Sequence, residues 1–341
     1  LNDLPNSNLA ERSRQMLEQI NARRRVNRKV VGAVLPLSGP YAPVANRVLR
    51  GLELGLGIYG QNTSDFELAV VDSGANSDTA RRAVEKLVVE DHVVAIAGSL
   101  LSRTSEAVAK KSNELGVPSI ALSQKAGLTQ IGDRVFRNAL TSEMQVQHLV
   151  DVAMNDLGFR KFAILYPNDN YGVEYANLFW DYVKAAGGEI KAAQPYVSKQ
   201  TDFSGPIQRL VGTYYHEDRQ EEFKERARNF LKSKKSLRGR QKMPEELLPP
   251  IVDFDALFIP DSSQAVGQIA PTLAYHDISG VRLLGTNLLN TPSLIRRGGR
   301  HVENAVFVDG LLTNDGEFQQ SPFYREFQSV YGEKPGVFEA Q

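Results

Sequence analysis

No cysteine occurs anywhere in the 341 residues. That absence excludes disulfides, cysteine-ligated zinc and a thiol nucleophile. Net charge is missing too, because 40 Lys and Arg balance 40 Asp and Glu. Such a chain has no general attraction for nucleic acid or an anionic membrane, and either role would need a local patch. No run of about 18 apolar residues is present, so no helical membrane span is predicted. The chain opens on Leu1 rather than methionine. This reads as a processed or trimmed start, with which a removed export signal is compatible.

Catalytic signatures are absent as well. There is no Walker loop, HExxH helix or GxSxG elbow. His92, His148, His216, His276 and His301 never pair at helical i, i+4 spacing and close no triad. Each is expected to be a surface residue or a satisfied core residue. Gly55-Leu56-Gly57-Ile58-Tyr59-Gly60 matches the dinucleotide fingerprint by letter. That fingerprint needs its first glycine at the strand-to-helix turn, where a pyrophosphate meets the helix N-terminus. Here the turn falls at Ser38-Gly39, and the glycines lie near the end of the helical pattern, where they are expected to allow close packing and stop the helix. Glu221-Glu222 and Glu245-Glu246 sit in a charged stretch, where a solvated face is the default. No catalytic residue, cofactor or metal is therefore expected.

What is present is an α/β rhythm. The length suggests about two domains, and 42% of the residues are hydrophobic, enough for sizeable cores. Short apolar strands are predicted at Val30–Leu35, Leu68–Val71, Val93–Ala97 and Pro118–Leu122, then at Phe162–Leu165, Ile190–Val197, Ala256–Ile259 and Arg282–Leu284. Helices are predicted between them at Asn46–Tyr59, Ser77–Glu90, Thr104–Leu115, Glu143–Leu157, Val173–Ala186, Phe203–Val211 and Gln264–Tyr275, with Ser77 and Asp78 as N-cap candidates. Strands this short and β-branched suit parallel sheets covered on both faces. The expected fold is α/β, two doubly wound parallel-sheet lobes joined by a hinge.

The predicted boundaries follow. Residues 1–26 hold an N-terminal helix, with Leu9, Met16, Leu17 and Ile20 at helical spacing. It either packs on the body or ends an upstream helical repeat. Residues 27–140 with 311–341 form the first lobe, and 141–310 the second. The hinge is expected near Asn138–Thr141 and Asp309–Leu312. A basic insertion at 215–250 carries Lys232, Lys234, Lys235, Arg238, Arg240 and Lys242. It reads as a solvated helix–loop excursion or as an arm for an acidic partner.

In open α/β sheets ligands bind at the carboxyl ends of strands, beside the switch in strand order. Those ends carry Ser38, Asp72-Ser73, Ser99 with Ser102, Ser123-Gln124, Asn168-Asp169-Asn170-Tyr171, Asp261-Ser262-Ser263 and Thr286-Asn287. Helix starts near Ser102 and Ser262 would add backbone N–H donors suited to a carboxylate. The set can orient a small polar ligand in a cleft but holds no evident base or nucleophile. Each residue taken singly could equally cap the helix that follows it.

Several stretches resemble a known family. Val31 to Ala42 is similar to the opening of leucine/isoleucine/valine-binding-type periplasmic proteins. Ala97 to Ser102, Pro118 to Thr129, Asn170-Tyr171-Gly172 and Thr201 to Ser204 resemble its further signatures, and the likeness runs from Lys29 to Gln341. The resemblance implies the type I periplasmic-binding fold and a ligand site at Ser38, Tyr41, Ser99, Ser102, Leu122, Ser123, Gln124, Tyr171, Ser262 and Asn287. Where amino-acid binders keep a threonine, a tyrosine and an acid, this chain has Gln124, Ser262 and Asn287. The acid's loss removes a charge-assisted partner for an ammonium. The implied activity is non-catalytic periplasmic binding of a small polar ligand, amino-acid-like or a carboxylate, with a membrane permease as partner.

A second resemblance lies in Asp253 to Ser262 with the basic insertion before it and Ile269-Ala270-Pro271 after it. These look like penicillin-binding-protein activator lipoproteins, whose partner is a peptidoglycan synthase and whose binding module follows a helical repeat. That reading implies a lipid anchor and an altered or unused cleft. The family fold also adds a strand and helix to the first lobe after the last crossing, a return within which this chain stops.

Overall fold

The computed structural model describes residues 11–14, 16–17, 26–60, 63–234, 247–313 and 315–340. Two compact units divide it: Leu1–Thr141 with Gly310–Gln341, and Ser142–Asp309.

The first unit holds a five-stranded parallel sheet of β1 (Asn27–Leu35), β2 (Glu67–Asp72), β3 (Val93–Gly98), β4 (Ser119–Ala121) and β5 (Val135–Arg137), in the order β2-β1-β3-β4-β5. Ala33, Val34 and Leu35 are consecutive and all fully buried. Unbroken burial of this kind marks a strand covered on both faces. On one side Val34 and Ile96 meet the stripe Ala80, Ala83, Val84, Leu87 and Val88 of helix Ser77–Val89. On the other, Ala33 and Leu35 meet Ala45 and Val48 of helix Ala42–Gly55.

The second unit repeats the plan with β6 (Lys161–Pro167), β7 (Glu189–Tyr196), β8 (Ala256–Phe258), β9 (Arg282–Gly285) and β10 (Val306–Phe307), in the order β10-β9-β8-β6-β7. Numbered from its own first strand, this too is 2-1-3-4-5. Side chains alternate across its faces as the pleat requires. Phe162, Ile164, Ala256, Phe258 and Leu284 pack with helix Asn170–Ala185. Ala163, Leu165, Leu257, Ile259 and Leu283 pack with helix Ser263–Tyr275. Phe179 stacks on Phe258 at 4.3 Å and meets Phe162 edge-on at 5.6 Å. Burying each such ring contributes about 1.5–3 kcal/mol.

Several expectations need correction. The first helix begins at Ala42, not Asn46, and carries proline in its first turn, where a missing N–H costs nothing. It ends at Gly55, so the Gly55-Gly57-Gly60 triplet follows a helix rather than opening one. Neither Ser77 nor Asp78 caps helix Ser77–Val89. Asn76 does, accepting from the N–H groups of Asp78 and Thr79. The helix from Ser142 is regular only to Asp151 and then widens to i→i+5 bonding, with Leu157 N–H on the Val152 carbonyl. Strands β5 and β10, of 3 and 2 residues, are too short for periodicity to reveal.

The basic excursion forms helix Gln220–Lys234, which buries no described residue. Arg219 clamps its base, donating to the carbonyls of Gly212 at 3.1 Å and Pro249 at 2.8 Å. Lys235, Arg238, Arg240 and Lys242 lie outside the described residues, as do Leu9 and Ile20 of the N-terminal stripe. Met16 and Leu17 of that stripe are exposed.

Candidate functional site

In each unit strand order reverses between the first and third strands of its sheet, β1 and β3 in one and β6 and β8 in the other. The loops leaving the carboxyl ends of these pairs are where an open α/β sheet leaves room for a ligand.

In the first unit the loop after β3 is held by buried bonds. Ser99 is fully buried, and its hydroxyl pairs with that of Thr104 while its carbonyl accepts from Leu122 N–H. Gly98 lies at φ +115°, and a Cβ there would stand 2.3 Å from the Val34 carbonyl oxygen. Two of the expected ligand residues have their side chains engaged within the unit. The Ser99 side chain braces its loop, and Leu122 belongs to the core beside Ala33 and Leu35. Ser102 is exposed at the first position of helix Ser102–Leu115, which has no side-chain cap. The buried Ser123 hydroxyl donates to the Ser102 hydroxyl at 3.4 Å, and Gln124 beside it is exposed.

The loop after β1 places Ser38 and Tyr41 in solvent. The Ser38 hydroxyl bonds the Asp72 carboxylate, which also accepts from the N–H groups of Leu37 and Gly74 at 2.8 Å each. Burial pushes the Asp72 pKa up, yet those donors outweigh it and hold the carboxyl below its ordinary value. Across the switch, the Arg103 guanidinium lies 5.0 Å from the Tyr41 ring centroid.

In the second unit Asp169 caps helix Asn170–Ala185 through the Gly172 N–H at 2.9 Å and accepts from Ser198 at 2.6 Å. Burial pushes its carboxyl up, but these donors prevail and hold it below the usual range. Tyr171 donates to Thr286 at 2.9 Å and packs on Tyr175 with ring centroids 4.4 Å apart. Burial pushes the Tyr171 phenol up. Gln145 then joins the group, its amide donating to Tyr175 at 2.8 Å and its carbonyl accepting from Asn287 N–H at 3.0 Å. Tyr171 and Asn287 are therefore brought together by Thr286, Tyr175 and Gln145. Ser262 belongs to another group. It caps helix Ser263–Tyr275, accepting from Ala265 N–H at 3.3 Å, beside Asp261, which accepts from Tyr196.

Sequence reasoning passed over Tyr196, Tyr175, Gln145 and Thr104, all buried among apolar neighbours. A helical or strand pattern reads them as core. Only their polar tips, which need partners once buried, could have signalled a shared network. Among the described residues no three His, Cys, Asp or Glu gather as a metal site. No described helix is long and apolar enough to cross a membrane.

Residues 30–213, more than half of the chain, match the sequence family described as periplasmic binding protein. A curated relative, Leu/Ile/Val-binding protein homolog 7 of Brucella abortus (strain 2308), is 26% identical over 196 residues, 52% of this chain and 48% of that protein. The chain thus spans about half the length of the curated relatives it matches. A solved ABC transporter substrate-binding protein from Sphaerobacter thermophilus superposes with a TM-score of 0.62 at 20% identity, covering 92% of this chain and 77% of that one. The solute binding protein of an ABC transporter from Rhodopseudomonas palustris BisB5, solved with 3,4-dihydroxy benzoic acid, does so at 0.54 and 19%, covering 91% and 76%. At such identities the structural likeness is one of fold.

Proposed function

The chain belongs to the periplasmic binding protein family, and from that membership we propose that it is a non-catalytic periplasmic receptor for a small polar solute. The observation that carries this reading is the repeated 2-1-3-4-5 strand order. In the first unit its switch point presents hydroxyl, amide and guanidinium groups, from Ser102, Gln124, Tyr41 and Arg103, at exposed positions. Such groups bind and orient a solute, and a permease would take it onward. Isothermal titration calorimetry against a panel of amino acids and organic carboxylates tests the reading. Saturable heat with one class is expected, and a flat response to the whole panel would overturn it.

A second reading, an activator-type module that engages a peptidoglycan synthase from a lipid anchor, is favoured by two observations. The Tyr171, Ser262 and Ser99 hydroxyls are all bonded internally. The excursion helix Gln220–Lys234 stands in solvent on a clamped base. Interferometry of the whole chain against a purified synthase, repeated after deletion of residues 220–246, tests it. Undiminished binding after deletion would remove the excursion from this reading.

A further inference from the structure

We infer that the solute is an organic carboxylate lacking any cationic group, and that Arg103, whose guanidinium lies over the Tyr41 ring, is the residue that selects it. This rests on the receptor reading and deepens it. Loops 36–41 and 99–102, which flank the first switch point, contain no carboxylate. Asp72, bonded to the first loop, and Glu106, one turn into helix Ser102–Leu115, are already engaged. Asp72 already accepts from Leu37, Gly74 and Ser38. Glu106 is taken by Lys110 at 2.6 Å and Lys125 at 2.7 Å. Arg103 forms no salt bridge among the described residues, so its charge stands uncompensated in solvent.

Its geometry suits an anion. Its charge lies over the Tyr41 ring, and a guanidinium carries a planar fork of N–H donors that matches a carboxylate. Beside it, the uncapped first turn of helix Ser102–Leu115 and the Ser102 hydroxyl are further donors. At the first switch point a ligand ammonium would meet the Arg103 cation with no carboxylate in loops 36–41 and 99–102 to receive it, whereas a carboxylate meets a cation that has no ion pair among the described residues.

The test compares L-leucine with 4-methylpentanoate, which has the same skeleton without the ammonium, and with benzoate and the neutral 4-methylpentanamide. Calorimetry of the whole chain is expected to show a carboxylate binding more tightly than both leucine and the amide. Arg103→Gln should weaken that binding roughly tenfold or more, the scale of a lost charge-assisted hydrogen bond. Arg103→Lys should keep part of it. Arg103 is exposed, so an unchanged melting temperature will confirm that the variants fold. Leucine binding more tightly than its deaminated acid, or an unaffected Arg103→Gln, overturns the inference and leaves the receptor reading standing. No heat with any compound overturns both.

Discussion

Tyr196, the last residue of β7, donates its phenol hydrogen to Asp261 at 2.6 Å and so ties the edge strand to the loop after β8, across the end of β6. The other Asp261 oxygen accepts from Ser262 N–H at 2.5 Å. Burial pushes the Tyr196 phenol above its ordinary range, and the carboxylate beside it pushes the same way. Tyr196→Phe leaves that oxygen without its buried donor. Urea denaturation should show a loss of about 1–3 kcal/mol. A change under about 0.5 kcal/mol, the size of an ordinary surface substitution, would mean that the bond contributes little.

Glu106 supplies a pH dependence. Hydrogen bonds from Lys110 and then Lys125, with the charges of both, lower its carboxyl from 4.5 to about 2. The folded-state value lies below the unfolded one, so the stabilising contribution is complete above pH 4.5 and fades as pH falls towards 2. The group is solvent-exposed, so the effect is small and screened by salt. In Glu106→Gln the melting temperature should fall less steeply than in the parent chain between those limits at low ionic strength. Parallel profiles for the two proteins would refute the coupling.

Gly51 abuts the C-terminal segment. A Cβ there would stand 2.0 Å from the Glu339 carbonyl oxygen, a backbone atom that cannot swing aside. Gly51→Ala must therefore lift helix Val337–Ala340 off helix Ala42–Gly55. That would strain the paired bonds from Arg47 to Glu339, at 2.5 and 2.8 Å. The expected cost is about 1–3 kcal/mol, with faster hydrogen exchange confined to residues 337–340 and the turns they cover. Unchanged exchange there would refute the contact.

The two sheets were legible because parallel strands buried on both faces write themselves as short apolar runs, as Val30–Leu35 and Phe162–Leu165 do. The short strands β5 and β10 left no such mark, and proline in the first turn of helix Ala42–Gly55 concealed its start. At the candidate site the sequence showed which residues end the strands but not how their polar atoms are spent. Ser99 and Ser102 look alike in the chain, yet one is sealed against Thr104 and the other faces solvent. The difference lies in partners such as Thr104, Thr286 and Tyr196, whose pairing depends on packing between elements far apart in sequence. Arg103 was overlooked because an arginine in the first turn of a helix carries no motif. Its meaning comes from Tyr41, 62 positions earlier.

The first unit is assembled from two stretches of chain with the whole of the second between them. Arg47 must wait for Glu339, 292 residues later, before its ion pair can close. A growing polypeptide therefore meets an inversion of the usual order, in which the domain nearer the N-terminus folds first. Residues 142–309 hold all of their own sheet and can finish it while still being extruded. The five strands of the first sheet emerge early, but helix Ala42–Gly55 lacks the cover of helix Val337–Ala340 until those residues, beyond the whole second unit, have been made. During that interval the face of the helix that Gly51 and Arg47 present to Glu339 is without its partner.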